Sequence, residues 1–84
     1  MKPIIFSEHS RIQLNERGAS EEEVIETIRA GEQVPAKKGR LGFRKNFQYN
    51  RAWGKIFFPI KQILAIVAEK ENEIIVVTVY TFYF

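Results

Sequence analysis

Two periods divide the chain. Up to Gly31 the apolar and polar positions fit helices, and from Phe43 they alternate as in a strand with one solvated face. Ser7 sits where a helix N-cap belongs, the helix it opens reaches about Arg17, and Gly18 follows where a left-handed C-terminal cap is wanted. Ser20 with Glu23 makes a capping-box pattern for a second helix. Glu21, Glu22 and Glu23 fall in its first turn, where the positive end of the helix dipole favours carboxylates. Val24, Ile25 and Ile28 supply its apolar stripe, and Gly31 ends it after about three turns.

Beyond a loop at Pro35 to Gly42, Phe43, Lys45, Phe47 and Tyr49 share one strand face, and Arg44, Asn46, Gln48 and Asn50 share the other. Trp53-Gly54 reads as a turn. Pro59 has no N–H for a ladder, so Phe57 to Ile60 reads as an edge, a bulge or a loop. Gln62 to Ala68 and Ile74 to Phe84 are β-branched and aromatic runs separated by the polar Glu69 to Glu73. They predict a hairpin with a loop of about five residues. Two short helices followed by a curled antiparallel sheet predict an α+β domain with the helices packed on one sheet face.

The 84 residues, 45% of them hydrophobic, predict a single domain over residues 1–84 with one core. There is no Cys, hence no disulfide framework and no thiol nucleophile, and a cytoplasmic location is expected. The apolar run at Met1 to Phe6 is too short for a signal peptide. No stretch approaches the ~20 apolar residues of a membrane span, so a soluble protein with no membrane partner is expected. With one His and no Asp, a Ser-His-Asp triad is excluded, and no His-Glu-x-x-His arrangement is present. No glycine pattern resembles a phosphate-binding loop or a dinucleotide fingerprint. Neither a metal nor a cofactor is expected.

Charge sharpens the picture. Between Gln33 and Ala68 lie eight of the thirteen Lys and Arg residues and none of the ten carboxylates, with six aromatic residues interleaved. Cations neutralise phosphates and release counterions, while flat rings accept bases, so the segment suits a single-stranded polyanion. Lys37, Lys38, Arg40, Arg44, Lys45 and Lys55 are the nucleic-acid-binding candidates, and RNA is the expected partner. The same composition also fits a solvated sheet face whose aromatic residues are core.

Phe6-Ser7-Glu8-His9, Arg17-Gly18-Ala19-Ser20, Lys61-Gln62-Ile63 and the run Ile74 to Tyr80 resemble the small domain family DUF4258. Its pattern is Ser-x-His-Ala at the first helix, Arg-Gly-Ile-Ser before the second, and a last strand ending Val-x-Thr-Val-Tyr. Many members carry Arg four residues after the His, where this chain has Gln13. That domain is in turn similar in architecture to toxins of the RelE and BrnT type. The likeness implies a RelE-like fold and metal-independent cleavage of RNA, including RNA on the ribosome, with neutralisation by an acidic antitoxin.

Cleavage by the RNA's own 2′-hydroxyl needs a base, an acid and cations for the charge building on phosphate. His9 is the one histidine, the side-chain type whose charge changes near neutral pH, and it shares a helix stripe with Gln13 and Arg17. Arg17 and Lys61 are the candidate phosphate cations, and Tyr80, a Lys or Glu8 is the candidate for the second proton role. Each has a structural alternative: His9 as a packing histidine, Arg17 as a cation at a helix C-terminus, Lys61 as an edge lysine. The aromatic run Tyr80 to Phe84 needs covering by helices or by an interface such as a homodimer. A non-catalytic RNA- or protein-binding module, including a degenerate toxin fold, therefore stands beside the ribonuclease.

Overall fold

The computed structural model describes residues 2–84. Its elements are β1 (Ile4–Phe6), α1 (Glu8–Arg17), α2 (Glu21–Ala30), β2 (Glu32–Pro35), β3 (Leu41–Trp53), β4 (Ile56–Glu69) and β5 (Ile74–Tyr83). Five strands form one sheet in the order β1-β5-β4-β3-β2. The sheet is mixed, because β1 runs parallel to β5 while every other pair is antiparallel. Two helices on one face of an open sheet make the fold α+β.

Local chemistry explains both helices. Ser7 Oγ accepts from the Ser10 N–H, Gly18 closes α1 at φ 73°, and its N–H donates to the Leu14 carbonyl. The capping box at α2 is complete, with Ser20 and Glu23 each receiving the other's backbone N–H. Gly18 is needed for space as well as for its dihedral. A Cβ there would fall 2.5 Å from Trp53 Cζ3 and 2.7 Å from the Tyr83 hydroxyl.

Side chains on β4 alternate strictly. Ile63, Ala65 and Val67 are buried beneath the helices together with Val76 and Val79 of β5, and they meet Leu14, Val24 and Ile28 from above. Their neighbours Gln62, Leu64, Ile66 and Ala68 point to the opposite, uncovered face and are only half-buried. Burying one face of β4 to zero exposure fixes its register, since a one-residue slip would turn that row to water.

Two strands escape the expectation from pattern. β1 and β2 have only three and four residues, too few to show a period, and pairing with β5 and β3 rather than local preference makes them strands. Phe57 to Ile60 lies inside β4, and the expected bulge sits on its partner. The register of β3 shifts between Gln48 and Arg51, opposite Pro59, and Asn50 there takes φ 50°. Pro59 thus faces a break in the ladder and removes no hydrogen bond from it. The hairpin loop between β4 and β5 spans residues 70–73, closed by the Lys70 N–H on the Glu73 carbonyl at 2.8 Å.

Candidate nucleic-acid interface

The uncovered sheet face and the loop beside it collect most of the candidate chemistry. The β2–β3 connection turns at Lys38 and Gly39, with φ of 58° and 71°, and the Arg40 N–H reaches the Lys37 carbonyl at 3.2 Å. Positive φ at both central residues defines a tight type I′ hairpin turn, which favours Asn or Gly. A lysine in that position costs roughly 1 kcal/mol of backbone energy and keeps a charge at the tip. Lys37, Lys38 and Arg40 line an open cleft whose floor and far wall are Ile66, Thr78 and Tyr80.

Arg17 enters this region from α1. Its Nη1 donates to the Val79 carbonyl at 2.6 Å, and its guanidinium lies over the Tyr80 ring, 5.2 Å from the centroid. The Arg17 backbone is pinned as well, its carbonyl accepting from Thr81 Oγ1 at 2.9 Å and from the Tyr83 hydroxyl at 2.7 Å. Tyr80, 42% exposed, is therefore a ring held by a cation at the border of the cleft.

Gln13 is buried on the same helix stripe, and its Oε1 accepts the Val79 N–H at 2.8 Å. Together Gln13 and Arg17 satisfy both backbone groups of Val79 on the side of β5 away from β4, where β1 no longer runs. An arginine at position 13 has no acceptor to offer that N–H.

The remaining cations divide by partner. Arg44 lies on the uncovered face in an ion pair with Glu32, and Lys45 points to the helix side, where it pairs with Glu26 at 3.1 Å. Lys55 is exposed in the tight turn at the tip of the β3–β4 hairpin. Lys37, Lys38 and Arg40 have no ion-pair partner among the described residues.

Lys61 is only 3% exposed and lies under the helices, away from the cleft. Its ammonium donates to the Gly18 carbonyl and to Glu23 Oε1, both at 2.9 Å, and sits 5.4 Å from the centre of the Tyr49 ring. This clamp ties the junction of the two helices to the sheet. His9 is exposed on the first turn of α1 and forms no hydrogen bond or ion pair with the described residues. Of the four residues proposed for proton and phosphate chemistry, Arg17 and Tyr80 meet, His9 shares the Arg17 stripe, and Lys61 is on the other side of the sheet.

The amides Asn46 and Gln62 are joined at 2.8 Å on the uncovered face, a pairing across strands that neither residue signals alone, and Phe82 and Phe84 part from Thr81 and Tyr83 onto that same face. Period-two spacing from Tyr80 was the available signal for both rings. Among the described residues no group of His, Cys, Asp and Glu is arranged to hold a metal. No helix there is long and apolar enough to cross a membrane.

Residues 6–81 match the family described as domain of unknown function DUF4258, and the chain belongs to it. No curated protein and no solved structure matches the chain.

Proposed function

We propose that this protein binds single-stranded RNA across the uncovered face of its sheet, with phosphates held by the β2–β3 turn. The observation that carries this reading is the cleft itself: three cations free of carboxylate partners among the described residues, facing the exposed Tyr80 ring. Exposed rings favour single strands, whose bases are free to stack, over a closed duplex. Contact of the three cations with three phosphates sets a log–log salt slope near −2, from about −0.7 per phosphate on a single strand. Anisotropy of a labelled single-stranded RNA, titrated with protein at several salt concentrations, measures that slope. Absence of binding at protein concentrations above the usual non-specific range of about 10⁻⁴ to 10⁻⁶ M would overturn the reading.

A second reading, metal-independent cleavage of the bound RNA in the manner of a toxin neutralised by an acidic partner, is favoured by one feature. His9 is exposed and unengaged on the same helix stripe as Arg17, the cation that reaches Tyr80. Here His9 takes the 2′-hydroxyl proton as that oxygen bonds to phosphorus, and the bond to the 5′-oxygen breaks to leave a 2′,3′-cyclic phosphate. Tyr80 or water gives the departing 5′-oxygen its proton, Arg17 stabilises the phosphate charge, and an antitoxin covers the cleft cations with carboxylates. Lys61 takes no part, being held by Glu23. Metal-free incubation with RNA, run beside His9→Ala, tests it: a general acid or base accounts for about 100-fold or more in rate. Equal cleavage by both proteins, or none by the wild type, rejects this second reading.

A further inference from the structure

Tyr80, Phe82 and Phe84 form a row of their own. In the β4–β5 register Tyr80 lies opposite Leu64 and Phe82 opposite Gln62, and Phe84 exchanges backbone bonds with Ile60 at 2.9 and 3.0 Å. All three rings fall on the uncovered face and are 42%, 46% and 55% exposed. The intervening Thr81 and Tyr83 turn the other way and bond the Arg17 carbonyl. None of the three rings stacks on another aromatic ring of the described chain, whereas Tyr83 is in contact with Tyr49, Trp53 and Phe58.

Alternate residues of a strand are about 6.8 Å apart, twice the strand rise. That is also about twice the 3.4 Å repeat of stacked bases, so it matches a strand whose bases are pulled apart from one another. We infer that Tyr80, Phe82 and Phe84 are a three-step stacking ladder, each ring taking one base of an extended RNA segment. The backbone phosphates at the Tyr80 end are delivered to Lys37, Lys38 and Arg40, one to each. Charge selects this occupant over an apolar partner: no carboxylate lies between Gln33 and Ala68, and the cleft cations continue the row at one end. The inference rests on the RNA-binding reading and adds to it the register and the length of the bound segment.

The test is anisotropy competition with oligoadenylates of one to six nucleotides, on wild type and on Tyr80→Ala, Phe82→Ala, Phe84→Ala and Phe82→Leu. Affinity is expected to climb steeply to about three or four nucleotides and flatten beyond. Each ring removal lowers tetranucleotide affinity by roughly 10-fold, from the usual worth of a base–aromatic stack. Phe82→Leu, which retains apolar area without a π face, is expected to behave as Phe82→Ala. Because the rings are exposed, circular dichroism should report all variants folded. Salt-dependent binding that ignores all three rings overturns the ladder and leaves the RNA-binding reading standing. No binding at any length removes both. A wild-type dimer that Phe82→Ala or Phe84→Ala dissociates also overturns the ladder, giving the row to a second copy of the chain.

Discussion

Lys61 shows how one residue's role is decided by its surroundings. Its place at a strand start left a phosphate contact and an edge lysine equally open; burial and three partners, Gly18, Glu23 and the Tyr49 ring, make it a clamp. Removing one member of a buried pair strands the other and orphans the Gly18 carbonyl. Lys61→Ala should cost about 2–4 kcal/mol, the lower end reflecting a Glu23 side chain still 28% exposed to water. Chemical denaturation measures this. A loss of RNA affinity without loss of stability would instead place Lys61 at the ligand. Tyr83 supplies a residue-scale signature in pH. Burial raises its phenol pKa above the ordinary value near 10, so above that pH the unfolded chain releases a proton that the folded chain retains. Stability from this group is full below about pH 10 and falls as pH rises through the folded pKa. Tyr83→Phe should flatten that alkaline limb in denaturation curves taken from pH 8 to 11.

At the scale of elements, both helices and the long strands were legible because each carries its own signal. Caps at Ser7, Gly18 and Ser20 bound the helices, and strict alternation on β3 marks its two faces. β1 and β2 were not, since three or four residues hold no period and their strand state comes from partners distant in sequence. Pro59 misled for a related reason: its tolerance depends on a bulge in another strand. The edge of β5 was equally hidden. Helix α1 has little apolar stripe, yet it is seated by Gln13 and Arg17 on the two backbone groups of Val79. Gln13→Leu leaves a buried N–H without an acceptor and should lower stability by about 1–3 kcal/mol. Hydrogen exchange at the Val79 amide should quicken in that variant before exchange in the β4 core does; unchanged protection would mean that α1 is held by packing alone. The candidate interface was half legible on the same grounds. The basic run is visible in composition, but which cations are neutralised depends on Glu26 and Glu32, carried by other elements.

Over the whole molecule, excess positive charge is concentrated on one side of the sheet. Six carboxylates of the helices face Arg11, Arg17 and Arg29 of the same helices and Lys45 and Lys61 of the sheet, so that side is nearly neutral, while Lys37, Lys38, Arg40 and Arg44, against Glu32 alone, stand on the other side or in the loop beside it. The folded chain, net charge +3, therefore presents a polyanion with one attractive face and one nearly neutral face, which orients the encounter before contact. Position, more than total charge, should then govern binding. Removing Lys37, Lys38 and Arg40 together should take away about two of the log–log salt slope, at about 0.7 per phosphate lost. Lys45→Ala lowers the net charge but acts on the helix side, where Lys45 is bound to Glu26, and it should leave the slope unchanged. Arg44 lies on the right face with its charge already answered by Glu32, so Arg44→Ala is expected to fall between the two. Should all single substitutions weaken binding alike, attraction would come from net charge alone, and the face defined by the cleft would have no special claim on RNA.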